Sequence, residues 1–139
     1  MRLMVEGSRA LEGLLHEGLK EAGYGDVRPA HYAVFRYLKG EGSRVTELAE
    51  AAGMTKQSMG ELVDHLERRG YVERRTDPRD RRAKIVVSTE KGRRGIKAAA
   101  ERIAEIESEL AGRMGKEGLE QLIGLLTELR RNTRARGDV

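Results

Sequence analysis

The chain has 139 residues, 38% apolar and 36% charged, with 27 Lys or Arg against 23 Asp or Glu for a formal net charge of +4. This length supplies one hydrophobic core and is short for two ordinary domains; with one Phe, four Tyr and no Trp, that core is built from Leu, Val, Ile, Ala and Met, which favours packed helices. The lack of Cys excludes disulfides, thiolate zinc sites and a cysteine oxidant sensor, and fits a reducing cytoplasm.

The amino-terminal segment meets charge at Glu6 and Arg9 before any long apolar stretch, and no apolar run approaches the ~20 residues of a membrane span. A soluble, unprocessed, cytoplasmic protein with no membrane partner is expected. Leu3, Met4, Leu11, Leu14, Leu15 and Leu19 favour one side of a first helix, which Gly7, Gly13 and Gly18 weaken. A loop follows at Gly23-Tyr24-Gly25-Asp26. Pro29 then suits the first turn of a second helix carrying Ala33, Val34, Tyr37 and Leu38, which Gly40 and Gly42 end.

The next two helices share one pattern. Val45, Leu48, Ala49 and Ala52 fall at i, i+3, i+4 and i+7, and so do Met59, Leu62, Val63 and Leu66. Gly53 can close the first of the pair in a left-handed conformation and Thr55 can cap the second, which makes a tight helix-turn-helix. Gly70 ends it. Tyr71 to Arg75 and Lys84 to Ser88 then read as two strands around a loop centred on Asp77-Pro78. Thr89 can cap a long helix in which Ile96, Ala99, Ile103, Ile106 and Leu110 alternate spacings of three and four. After Gly112 and Gly115, Leu119, Leu122, Leu126 and Leu129 repeat that spacing, with Ile123 and Leu125 widening the face, and a polar tail from Arg130 to Val139 is expected to fray. The fold class is mainly α with a small β-hairpin, in the order α-α-α-α-β-β-α-α. The two late seams need partners, either each other within one chain or a second copy, because each wet Leu or Ile forgoes about 1.5–3 kcal/mol.

Charge is concentrated in one place. Arg68 to Lys84 holds eight Arg or Lys against Glu73, Asp77 and Asp80, a local excess of five, so the remainder of the chain is close to neutral. A basic hairpin directly after a helix-turn-helix points to double-stranded DNA: a loop with Arg79, Arg81 and Arg82 at its tip can reach a minor groove, where narrow segments concentrate negative potential. The bland alternative is a solvated turn whose acids and Arg neutralise one another. With the apolar stripe turned inward, Gln57, Gly60, Glu61, Asp64 and Arg68 face outward on the second helix of the pair, flanked by Lys56 and Ser58. Such a helix enters the major groove by its first turns, where Gln pairs with adenine and Lys with guanine or phosphate, although any surface helix also shows polar residues outward. Glu61 and Asp64 oppose simple phosphate binding; they can accept from a cytosine amino group or pair with nearby Arg.

The junction Leu66-Glu67-Arg68-Arg69-Gly70-Tyr71-Val72, the hairpin Asp77-Pro78-Arg79-Asp80-Arg81-Arg82 and the helix entry Ser88-Thr89-Glu90-Lys91-Gly92 together resemble the winged helix-turn-helix core of the MarR family of bacterial transcription regulators. The resemblance runs over nearly the whole chain. It implies a single domain over 1–139 whose segments 1–28 and 93–135 are dimerisation helices flanking a winged helix-turn-helix lobe at 29–92. It also implies that the reading helix spans Thr55 to Arg69, that Arg82 enters the minor groove, and that Asp80 orients Arg82 by an ion pair. A carboxylate two residues away on an extended strand lies on the same side as that guanidinium. Gly60 and Glu61 stand where many relatives present larger polar or basic side chains.

The DNA-binding set is therefore Thr55, Lys56, Gln57, Ser58, Gly60, Glu61, Arg74, Arg75, Arg79, Asp80, Arg81 and Arg82. The function expected is that of a homodimeric, sequence-specific repressor on a near-palindromic operator, released by a small-molecule effector. The alternatives are an architectural protein that binds DNA without sequence preference and a winged-helix module that binds protein. Relatives often take aromatic or phenolic effectors between the dimer helices and the lobe; His16, Tyr24, Tyr32 and Tyr37 are available, but Tyr more often simply packs, and no ligand residues are assigned. His16, His31 and His65 have no paired metal spacing. No HExxH, phosphate loop or nucleophile elbow is present, so no cofactor and no catalysis are expected.

Overall fold

A computed structural model describes residues 1–134. Its elements are α1 (Arg2–Glu21), a 3-10 turn (Pro29–His31), α2 (Tyr32–Tyr37), α3 (Val45–Ala52), α4 (Lys56–Arg68), β1 (Val72–Asp77), β2 (Asp80–Ser88), α5 (Glu90–Met114) and α6 (Lys116–Arg134). The chain forms two compact units, one from Met1 to Arg102 and one beginning at Ile103. Among the described residues no helix is long and apolar enough to cross a membrane.

In the first unit the core follows the matched stripes. Leu48 and Ala49 of α3, Met59, Val63 and Leu66 of α4, and Val34 of α2 meet Tyr71, Val72 and Val86 of the hairpin, with Leu19 of α1 joining them. Met59, Val63 and Leu66 are fully buried, and each stabilises the lobe by about 1.5–3 kcal/mol. The turn between α3 and α4 forms as its residues dictate. Gly53 takes a left-handed conformation at φ +65°, and the Thr55 hydroxyl oxygen accepts from the Ser58 N–H at 3.1 Å. At the other end of the hairpin, Thr89 accepts from the Gly92 N–H at 3.1 Å and donates to the Gly70 carbonyl at 2.6 Å. Gly92 lies so close to the Tyr71 carbonyl that a Cβ there would sit 2.1 Å from its oxygen, so this crossing of α5 and the hairpin base requires glycine.

Several expectations need correction. The second helix does not run unbroken from Pro29; the backbone tightens into a 3-10 turn before a six-residue α2. α1 keeps helical form through Gly7, Gly13 and Gly18, and Gly18 leaves room for the Arg102 side chain, which would lie 2.5 Å from a Cβ. α6 stays helical through Arg134, so the tail expected from Arg130 begins as helix, and the rest of it lies outside the described residues. The hairpin also gains an edge, since Ser43 and Val86 exchange backbone hydrogen bonds of 3.0 and 2.8 Å as an isolated antiparallel bridge.

The strands themselves run further towards the tip than expected. Only Pro78 and Arg79 connect β1 to β2, so Arg81 and Arg82 belong to a strand and not to the loop. The register explains how they still project. Thr76 faces Lys84, but the next residue, Asp77, faces Asp80, so Arg81, Arg82 and Ala83 are extra residues bulged out of β2. A bulge of this kind re-aims side chains at a hairpin end.

Candidate nucleic-acid interface

α4 presents its first turns to solvent. Thr55, Lys56, Gln57 and Ser58 are all exposed, but they divide into two kinds. Thr55 and Ser58 hold each other, hydroxyl to hydroxyl at 2.9 Å as well as through the cap. Lys56 and Gln57 have no side-chain hydrogen bond or ion pair within the described chain. Gly60 is half-buried, and a Cβ built on it would meet nothing within 4 Å. Glu61 and Asp64 are exposed on the same side as Gln57.

The base of the hairpin is clamped to this helix. Arg74 donates one guanidinium nitrogen to Asp64 and the other to Glu67, both at 2.7 Å, while its backbone N–H donates to Glu67 at 3.1 Å. Only 27% of its side chain is exposed. Arg75 pairs with Glu73 on the outer face of β1. Arg74 is therefore engaged within the protein, whereas Arg75 is 66% exposed with Glu73 as a surface partner.

At the tip the arrangement reverses. Arg82 is 90% exposed and has Asp80 as its side-chain partner, through Nε at 3.3 Å; the same carboxylate oxygen accepts the Arg82 backbone N–H at 3.0 Å. Arg81 is exposed and has no partner within the described chain. Arg79 is 75% exposed and lies 3.9 Å from Asp77. An exposed pair is worth about 0–1 kcal/mol, so redirecting Arg82 towards a phosphate or a base edge costs little.

What holds the tip was not visible in the sequence. Asp77 is a buried carboxylate, 1% exposed. One oxygen accepts the Arg79 N–H at 2.9 Å, and the other accepts Arg44 through Nε and Nη2, both at 2.8 Å. These partners, the Arg79 N–H first and Arg44 next, hold its carboxyl below the usual range. Arg44 is the residue just before α3, so the wing tip is tied to the start of the helix-turn-helix. The one hint was the Asp-Pro-Arg sequence, in which an Asp side chain commonly accepts a backbone N–H two residues on; nothing in the spacing indicated Arg44.

The histidines were also placed apart by sequence, and two of them meet. His31 and His65 stack with ring centres 4.1 Å apart and planes 11° from parallel. The Arg28 backbone N–H donates to His31 Nδ1 at 2.9 Å, and His65 Nε2 lies 3.1 Å from the Asp26 carbonyl. Burial, with His65 alongside, pushes the His31 imidazole below its ordinary pKa. Tyr71 donates to Asp26 at 2.5 Å, which fixes the loop that α4 leans on. Tyr32 and His16 approach at 3.5 Å, and Tyr24 tilts against Tyr71. Among the described residues no cluster of three or more His, Asp or Glu could hold a metal ion.

A capped helix pair followed by a bulged, Arg-tipped hairpin defines a winged helix-turn-helix protein. A family model described as MarR family matches residues 26–83. The chain is 31% identical to the transcriptional regulator HosA of Escherichia coli O111:H- over 105 residues, 75% of this chain and 78% of that protein. Among solved structures, it is similar to CouR from Rhodococcus jostii RHA1 bound to p-coumaroyl-CoA, at 28% identity and a TM-score of 0.73 over 94% of this chain and 88% of that one. It is also similar to the transcriptional regulator Tm0710 from Thermotoga maritima, at 28% identity and a TM-score of 0.62 over 99% and 96% of the two chains. The chain belongs to the MarR family of transcriptional regulators.

Proposed function

We propose that the protein is a homodimeric repressor that reads a near-palindromic operator, with α4 of each subunit in a major groove and each wing in a flanking minor groove. The observation that carries this is the bulged tip of β2, which presents Arg81 and Arg82 to solvent beside a helix whose first turn offers an unengaged Lys56 and Gln57. Thr55 and Ser58 set the start of that helix, Gly60 and Glu61 lie on its groove side, and Asp80 aims Arg82. Arg79 adds phosphate contact. Arg74 acts from behind, by fixing the hairpin to α4, while Arg75 stands exposed on β1 beside the groove-facing residues.

Dimerisation accounts for apolar surface that one chain leaves wet. Leu3, Met4, Val5 and Leu11 of α1 are exposed, and so are Ile103, Met114, Leu122, Ile123, Leu125, Leu126 and Leu129 in the second unit. Exposed apolar rows of this kind mark association surfaces. Segments 1–28 and 93–135, the last residue of which lies outside the described residues, carry the dimerisation helices in this reading, and 29–92 is the lobe that binds DNA in the cytoplasm. A small-molecule effector is part of the reading because CouR, a similar structure, holds p-coumaroyl-CoA.

The test is binding to the duplex upstream of the protein's own coding sequence, with random duplex as competitor. The operator should be preferred by ~10³ or more, with half-sites ~10–10.5 bp apart, and affinity should fall ~10³–10⁵-fold between 50 and 200 mM salt. Equal affinity for random duplex favours the architectural alternative. A lone subunit that ignores DNA at low salt overturns the proposal.

A further inference from the structure

Two acids lie on the groove side of α4, and the structure treats them differently. Gln57, Glu61, Asp64 and Arg68 fall at i, i+4, i+7 and i+11, opposite the buried Met59, Val63 and Leu66. A carboxylate carried towards a polyanion is repelled by it unless a cation neutralises it or a donor receives it. Asp64 is neutralised by Arg74 at 2.7 Å. Glu61 has no hydrogen bond or ion pair within the described chain, and Arg74 is already committed to Asp64 and Glu67.

We propose that Glu61 selects the operator base sequence by accepting a hydrogen bond from the 4-amino group of a cytosine in each half-site. This rests on the reading of α4 as the major-groove helix. An ionised carboxylate only accepts, and cytosine offers a lone amino donor at its major-groove edge, whereas the adenine amino group sits beside an acceptor nitrogen that repels the carboxylate. Gly60 fits the same picture. Apart from its own helix, none of the described residues comes within 4 Å of the space a Cβ would need there, so the bare backbone next to Glu61 leaves room for close approach to the groove. Glu61 lies four residues beyond Gln57, about 6 Å along the axis, or roughly two base-pair steps. The cytosine therefore falls about two steps from the position that Gln57 reads.

The experiment is selection from a random duplex library with the full-length protein, Glu61→Gln and Gln57→Ala, each first checked for native helix content and oligomeric state. The wild type should enrich cytosine at one symmetric pair of positions. Glu61→Gln should move that pair, and only that pair, towards adenine, because an amide both donates and accepts. Gln57→Ala should flatten a different pair about two steps away. Replacing the cytosine should weaken wild-type binding roughly five- to hundredfold and leave Glu61→Ala within about twofold. If the wild type selects a defined operator and Glu61→Gln selects the same one, the role of Glu61 is overturned while the repressor reading stands. If the wild type enriches no sequence, both fall.

Discussion

Arg74 and Arg82 lie eight residues apart on one hairpin and serve opposite ends of it. At the base, Arg74 is largely covered and makes two charge-assisted bonds to α4; at the tip, Arg82 is 90% exposed and leans on one carboxylate. Residue type alone makes them equivalent. The lesson is that pairing and exposure separate an arginine that builds the interface from one that is free to meet DNA. Substituting each breaks the comparison in a different direction. Arg82→Ala should lower operator affinity roughly 10–100-fold without changing the melting temperature or the oligomeric mass, read by fluorescence anisotropy and gel filtration. Arg74→Ala should instead destabilise the protein by about 1 kcal/mol, as expected for a networked but partly exposed pair, with a smaller loss of affinity. Unchanged stability in Arg74→Ala would place that residue at the DNA and not behind it.

Gly60 sharpens the comparison on the helix side. A mid-helix glycine costs about 0.5–1 kcal/mol relative to alanine, and the empty space over Gly60 means that no internal contact offsets this. Gly60→Ala should therefore raise stability by that amount while lowering operator affinity, if the side of α4 that carries the added methyl faces the groove as proposed. A variant that gains stability and binds as tightly as the wild type would show that the helix keeps its distance from the base edges. The wing would then carry the recognition alone.

Much of this molecule was legible because its signals are local. The stripes of α3 and α4, the Thr55 and Thr89 caps and the left-handed Gly53 each follow from residues within one or two turns of each other, and the structure forms them as read. The Asp80–Arg82 pair was implied by the family resemblance, and the structure forms it. What escaped depends on residues brought together by folding. Arg44 and Asp77 are 33 positions apart, and His31 and His65 are 34 apart in number. The bulge escaped for a different reason. The segment from Asp80 to Ala83 has no apolar alternation to mark it as strand, so it read as loop, and only pairing with β1 reveals the slip between Thr76 and Asp77.

The smallest predicted effect concerns pH, and it separates the anchoring of α4 from the anchoring of the wing. The Arg28 backbone N–H donates to His31 Nδ1, and the His31 pKa is lowered first by burial and then by the His65 ring; the Arg28 side-chain charge also lowers it, while the Arg28 backbone contact and Asp26 oppose the shift. A lowered imidazole means that the unfolded chain binds the proton first. The contribution of His31 is complete above its ordinary value, ~6.5, and declines as pH falls from there through the folded-state value. The Asp77 carboxyl is also lowered, by the Arg79 N–H and then by Arg44, so its contribution is complete above ~3.9 and is lost only as pH falls below that. Between these ranges the wing tip keeps its tie to α3 while the contact of α4 with the 3-10 turn weakens. Thermal melts between pH 7.5 and 5 should therefore show falling stability in the wild type. His31→Asn, whose amide oxygen can still accept the Arg28 N–H, should flatten that slope, whereas Asp77→Asn should lower stability throughout the range and leave the slope as it was. Identical slopes in the wild type and His31→Asn would assign the pH response to another group and return the two anchors to equal footing.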